Sequence, residues 1–194
     1  MATECDPQKR ADFKHAIDQI DPGNLVFLDE CGFSLALYRP FGWGARKERL
    51  REAVPCNRGV NLSVLGAFDQ EGMVALTSKQ GAMKRVDFEK FLRDDLLPRL
   101  EPGATLVLDN ARIHHGGAIE QIVSSAGCSL LYLPPYSPDF SPIELAWSWI
   151  KNVVRCGVPR DNASRLALVN EAVQALPERH APAWFRKCGY LQPI

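Results

Sequence analysis

The sequence has no surplus of charge of either sign: across 194 residues, 23 Lys and Arg stand against 23 Asp and Glu. That balance excludes a global field drawing the protein onto polyanions, so any nucleic-acid contact has to come from local clustering. Paired cysteines are also missing. The six, at 5, 31, 56, 128, 156 and 188, stand singly, without the C-x-x-C spacing of a zinc site or redox motif, and read as reduced thiols. No stretch approaches the roughly 20 apolar residues of a membrane span. The opening Met-Ala-Thr-Glu-Cys-Asp-Pro lacks the basic start and apolar run of a signal peptide, so a cytoplasmic protein with no membrane partner is expected. There is no internal repeat and no low-complexity segment. With 46% hydrophobic and 24% charged residues, the chain has enough apolar side chains to bury a sizeable core.

Its periodicities predict alternating helices and strands. A leading helix with Phe13, Ala16, Ile17 and Ile20 on one face should end near Asp21-Pro22-Gly23. Residues 24–28 form an apolar run that reads as a buried strand, with Asp29 at its C-terminal end. Residues 33–38 suggest a second strand, and 60–68 with 73–77 a hairpin turned by Asp69-Gln70-Glu71-Gly72. Asp87 could cap a helix carrying Phe88, Leu92, Leu96 and Leu100. Next come a strand at 105–108, a helix near 116–126, a strand at 129–133 and the turn-rich Pro134-Pro135-Tyr136-Ser137-Pro138. Ser141-Pro142 opens a helix whose Ile143, Trp147, Ile150 and Val154 make one apolar stripe. A further helix follows Asp161-Asn162, and 183–187 suggest a last turn. Three segments are expected: 1–23 a leading helix and linker, 24–157 the main α/β domain, and 158–194 a helical extension packed on it. The element order is that of an RNase H-like mixed five-stranded sheet flanked by helices.

In such a sheet the first and fourth strands are neighbours, which would set Asp29 beside Asp109. The helix beginning at 142 would bring Glu144 over both. Thirty-four residues separate Asp109 from Glu144, room for one helix, one strand and a loop. Three carboxylates in one cleft repel each other until a cation neutralises them. Hard oxygen ligands suit Mg²⁺ or Mn²⁺, and two ions about 3.5–4 Å apart can serve in-line displacement at phosphorus. Asn110 and His114 follow closely enough to support the carboxylates from behind. Taken alone, Glu144 could instead close a capping box with Ser141.

Three blocks make a more specific case: Leu28-Asp29-Glu30-Cys31-Gly32-Phe33; Leu108-Asp109-Asn110-Ala111-Arg112-Ile113-His114; and the run from Leu133 through Pro-Pro-Tyr-Ser-Pro to Glu144, followed by Trp147 and Lys151. Together they resemble the signature blocks of the mariner-like DDE transposases, particularly their bacterial insertion-sequence relatives. The likeness runs from about 24 to 155. It implies an RNase H-like fold, with Asp29, Asp109 and Glu144 as catalytic and metal-binding acids. It further implies Mg²⁺-dependent cleavage at transposon ends and joining of the freed 3′-hydroxyl to a TA target in double-stranded DNA, with two copies acting together on paired ends. Ser141 stands where the family commonly carries Asn, and either side chain can cap a helix. Relatives place a helix-turn-helix region before the first catalytic strand. Only twenty-eight residues precede Asp29 here, so end recognition is expected from a separate or upstream segment.

DNA contact is expected from the loop 39–58. Arg39, Arg46, Lys47, Arg49, Arg51 and Arg58 oppose Glu48 and Glu52 there, six basic against two acidic residues for a net of four positive charges, with Phe41 and Trp43 alongside. Lys151 is counted with them; a solvated loop is the plainer reading. Two other functions remain open on sequence alone: a catalytically silent or repurposed DNA-binding relic, and a ribonuclease H-type nuclease.

Overall fold

The computed structural model describes residues 5–39, 41–47, 49, 51 and 59–192. Five strands form one sheet: β1 (Leu25–Phe33), β2 (Leu62–Phe68), β3 (Met73–Gln80), β4 (Thr105–Leu108) and β5 (Ser129–Tyr132), in spatial order β3-β2-β1-β4-β5. β1, β2 and β3 pair antiparallel, whereas β4 and β5 run parallel to β1 and to each other. Among the described residues six α-helices accompany the sheet: α1 (Pro7–Ile17), α2 (Arg85–Lys90), α3 (Gly117–Ser125), α4 (Pro142–Gly157), α5 (Asn162–Gln174) and α6 (His180–Lys187).

Two cores lie on the two faces, divided by the alternation of the strands. On β1, Leu25, Phe27, Cys31 and Phe33 join Phe13 and Ile17 of α1, Trp147 and Ile150 of α4, Val169 of α5 and Phe185 of α6. Val26 and Leu28 face the other way, toward Phe88, Phe91, Leu92 and Leu96 of the α2 region and Ile119 and Val123 of α3. The parallel strand β4 is buried on both faces, as its unbroken Thr-Leu-Val-Leu run requires.

Two expectations are corrected. No strand covers 34–38: β1 itself runs through Phe33, because its antiparallel partner β2 continues from Phe27↔Phe68 to Phe33↔Leu62. Asp29 is therefore the fifth of nine strand residues, not the terminal one. The α2 helix starts at Arg85, and Asp87 sits in its first turn, accepting from the Lys84 backbone N–H at 2.9 Å. Beyond Lys90 it widens into a π-helical stretch over Phe91–Leu96 and ends in a 3₁₀ turn, Leu97–Arg99. A strict every-fourth repeat outruns the 3.6-residue α turn, and the wider coil keeps Leu92 and Leu96 on the sheet.

Candidate active site

The parallel ladder between β1 and β4 stops at Phe27↔Val107, two residues before Asp29. β4 ends at Leu108, so Asp109 leaves the sheet beside the point where β1 runs on alone against β2. Glu144 lies on the first turn of α4, the helix that spans this rim. All three carboxylates line one cleft of about 400 Å³, together with Leu28, Asn110, Tyr136 and Ser141.

Close seating of α4 depends on Gly66. It pairs with Asp29 across the β1–β2 ladder, and a Cβ placed there would come within 2.8 Å of Trp147 Cη2. Absence of a side chain lets the indole lie flat on β2, 1% exposed, which fixes the helix one turn after Glu144. Trp147 Nε1–H is buried without a hydrogen-bond partner among the described residues and lies beside Asp29. Ser141 makes no side-chain cap bond to α4, so the capping box is not formed and Glu144 remains exposed in the cleft.

Burial, then the charge of Glu144, and more weakly that of Asp109, push the Asp29 carboxyl up to about 7. Asp109 goes the other way: the hydrogen bond from His114, opposed by burial, holds it below the usual carboxylate range. The His114 Nδ1 stands 2.7 Å from Asp109 Oδ1, and its Nε2 stands 3.4 Å from Glu30 Oε1. Burial alone would lower the imidazole, but its bonds to Asp109 and Glu30 outweigh it and lift His114 to about 9. The ring is 2% exposed and packs on Phe88 with centroids 4.6 Å apart. Its backbone is held as well, since Tyr132 Oη donates to His114 O at 2.9 Å.

Glu30 was not among the sequence candidates. The pleat that turns Asp29 toward α4 turns Glu30 to the opposite face, where the turn after β4 delivers His114; the Asp-Glu pair at 29–30 was the available signal. Asn110, expected to support the carboxylates, spends its Nδ2 on Leu133 O at 2.7 Å and so ties the end of β4 to the loop after β5. Lys151, two turns beyond Glu144 on α4, is half-buried against Cys31, whose thiol burial pushes up to about 11.

The expected DNA-contact residues lie elsewhere. Arg39, Trp43, Arg46, Lys47, Arg49 and Arg51 are exposed, and Arg58 lies outside the described residues. Arg39, Phe41 and Trp43 border a second hollow of about 520 Å³ with Asn152 and Arg155. Arg155 is eleven residues past Glu144, so this hollow sits about 16 Å along α4 from the carboxylates. Phe41 and Trp43 are almost wholly exposed, at 88% and 102%.

As donors, the three acids offer hard oxygens, and the mutual repulsion that raises Asp29 is what a divalent cation of the Mg²⁺ or Mn²⁺ type would relieve. They line the cleft without closing on a common point: among the described residues no three His, Cys, Asp or Glu side chains are already gathered closely enough to hold an ion.

A five-stranded sheet of this order, with helices on both faces and acids at the rim where β1 and β4 part, is the RNase H-like arrangement. Residues 24–167 match the family described as DDE superfamily endonuclease, and the chain belongs to it. It is 29% identical over 169 residues to the Tcb2 transposase of Caenorhabditis briggsae, a match covering 81% of this chain and 61% of that protein. Among solved structures it resembles the Mos1 transposase paired-end complex with left transposon end, at TM-score 0.74 and 13% identity, covering 97% of this chain and 61% of that one. It also resembles the catalytic domain of Mos1 mariner transposase, at TM-score 0.68 and 13% identity, covering 97% of this chain and 90% of that one. No helix among the described residues is long and apolar enough to cross a membrane.

Proposed function

We infer that this chain is the catalytic part of a transposase that cuts double-stranded DNA at the ends of a mobile element and joins the freed 3′-hydroxyl to a TA target. One observation carries the reading: Asp29 from mid-β1, Asp109 from the end of β4 and Glu144 from the first turn of α4 line a single cleft on a fold of the DDE endonuclease family. Asp29, Asp109 and Glu144 would hold two Mg²⁺ or Mn²⁺ ions. Mos1 paired-end complexes have been solved with each of these metals. When bound, such ions lower the pKa of an attacking hydroxyl and neutralise the charge that gathers on the leaving oxygen.

The remaining work falls to the chain itself. His114, braced by Glu30, fixes the rotamer of Asp109, and the buried indole of Trp147, seated on Gly66, packs beside Asp29. Asn110 secures the wall of the cleft by holding Leu133. Water serves as nucleophile for the first strand cut and the 3′-hydroxyl for joining, with no covalent protein intermediate. The basic loop carrying Arg39, Trp43, Arg46, Lys47, Arg49 and Arg51, with Lys151 on α4, supplies phosphate contacts. A second copy of the chain is expected in the active complex, with end recognition by a helix-turn-helix segment. A nicking assay on duplex DNA carrying the element's terminal repeats, with the helix-turn-helix segment supplied, tests this. Mg²⁺-dependent cuts at the repeat ends, abolished in Asp29→Asn, Asp109→Asn and Glu144→Gln, are expected. Cleavage confined to RNA–DNA hybrids, or none in any metal, would overturn it.

A further inference from the structure

The loop from 133 to 141 is held almost everywhere except at one side chain. Asn110 bonds Leu133 O, Ser137 Oγ donates to Pro135 O at 3.2 Å, Arg10 clasps Asp139 at 3.0 and 2.6 Å, and Tyr190 Oη donates to Phe140 O. Pro134 and Ser137 are buried. Between them Tyr136 adopts a left-handed backbone, φ +57°, where a bulky L side chain is rarely found. Its carbonyl accepts from Cys5 Sγ at 3.0 Å, so α1's leader helps hold this conformation. The ring itself is 62% exposed at the mouth of the carboxylate cleft. Among the described residues it packs on no other ring, and its hydroxyl has no hydrogen-bond partner.

The fold thus accepts an unfavourable backbone and forgoes burying a large aromatic surface, with the result that a flat ring stands at the entrance to the site. Residues strained by an over-determining surround cluster at ligand sites. Bound cations and basic side chains would hold the phosphodiester, whereas a group at the mouth that grips the strand without charge has to act on the bases. An aromatic ring stacked on a nucleobase face does so without regard to sequence.

We propose that Tyr136 is a base-stacking residue, whose ring holds an unpaired nucleobase flanking the phosphate presented to Asp29, Asp109 and Glu144. The proposal rests on the reading of this cleft as a DNA-cutting site. It is tested with the full chain in Ca²⁺, using a forked DNA duplex with 2-aminopurine at the first unpaired position and a blunt duplex of matching sequence. Wild type should quench the 2-aminopurine. Tyr136→Ala should lose the quench and bind the fork about tenfold more weakly, equivalent to about 1.4 kcal/mol, with blunt-duplex binding within about twofold. Tyr136→Gly, indifferent to the positive φ, should behave as Ala; Tyr136→Phe and Tyr136→Trp should bind as wild type. Full quenching and affinity in the Ala and Gly variants would overturn the proposal. So would equal losses on both duplexes, a defect in Ala that Gly lacks, or a Phe variant as weak as Ala. If wild type neither binds these duplexes nor cuts DNA in Mg²⁺, the reading of the cleft itself falls, and the proposal with it.

Discussion

Repulsion within the cleft is concentrated on Asp29, the most enclosed of its three acids. Its carboxyl stands at about 7 against an ordinary 3.8, raised first by burial and then by Glu144. In the metal-free protein the folded state therefore keeps the proton between those two values while the unfolded chain releases it. The contribution of Asp29 to stability is fully present below about pH 4, falls as pH rises, and levels off above about 7. The whole interval is worth about 4 kcal/mol at 1.36 kcal/mol per pH unit. Partial exposure of the side chain to solvent reduces this to about 2 kcal/mol. Asp29→Asn should accordingly raise the metal-free melting temperature at pH 8, flatten its decline between pH 4 and 7, and remove the stabilisation that Mg²⁺ gives wild type. Differential scanning calorimetry with and without Mg²⁺ measures all three, and an Asn variant that melts below wild type would contradict the account. Glu30 acts one step further out, through His114 on Asp109. Partners behind metal ligands typically contribute 10–100-fold. Glu30→Gln should slow Mg²⁺-dependent cleavage by at least about tenfold while leaving the circular dichroism unchanged; an unaltered rate would remove Glu30 from the site.

Between elements, two contacts set how the helices meet the sheet. Gly66 makes room for Trp147, and Gly66→Ala would drive a methyl against Cη2 at 2.8 Å, Cζ2 at 2.9 Å and the Met73 sulfur at 3.1 Å. Overpacking of this kind costs about 1–3 kcal/mol. Because the strain lifts α4, cleavage should fall more steeply than stability, and Trp147→Phe in the same chain should restore part of both. A Gly66→Ala protein cutting at the wild-type rate would show that α4 does not need this seat. Arg165 of α5 is fully buried and has no carboxylate partner among its bonds; it donates to Phe33 O at 2.9 Å and to Val60 O and Asn162 Oδ1 at 2.8 Å. Those carbonyls mark the two ends of the chain between β1 and β2. Arg165→Leu strands the buried acceptor Phe33 O and leaves the part-buried Val60 O and Asn162 Oδ1 to water. Urea denaturation should show a loss of about 1–3 kcal/mol. Most strands and helices were legible because their apolar runs and turn residues are local: the hairpin at Asp69–Gly72, the helix after Asp161-Asn162 and the Pro142 start of α4 stand as expected. The end of β1 was not, since polar Asp29, Glu30 and Gly32 break the apolar run, and only pairing with β2 keeps those residues extended. Arg165 gave no signal either, because a buried arginine on a helix looks like a surface one until the carbonyls it meets are placed.

At the scale of the whole molecule, the three acids were readable because chain order and strand adjacency bring them to one rim, whereas what lies behind them was not. The adjacent pair Asp29-Glu30 signals that Glu30 takes the opposite face of β1 but not that His114 meets it there, and that Tyr136 stands outward depends on backbone angles that no spacing reveals. The same scale decides how a protein of zero net charge could hold DNA. With 23 charges of each sign, long-range attraction cancels, and on the proposed reading binding would draw on the cluster at Arg46, Lys47 and Arg49, all of them exposed. If each of the three neutralises one phosphate, they account for about 2.7 units of the slope of log affinity against log salt, at about 0.9 per contact. Replacing all three by Glu should therefore flatten that slope by nearly that amount and weaken binding to any duplex at low salt. The melting temperature should stay close to wild type, because surface positions clear of buried contacts contribute within about 0.5 kcal/mol each. Fluorescence anisotropy of a labelled duplex across 50–300 mM NaCl reads the slope directly. An unchanged slope would mean that the loop is solvated rather than DNA-bound and that the phosphate contacts lie on another face, whereas a loss independent of salt would point to Trp43 and Phe41 as the groups that touch DNA.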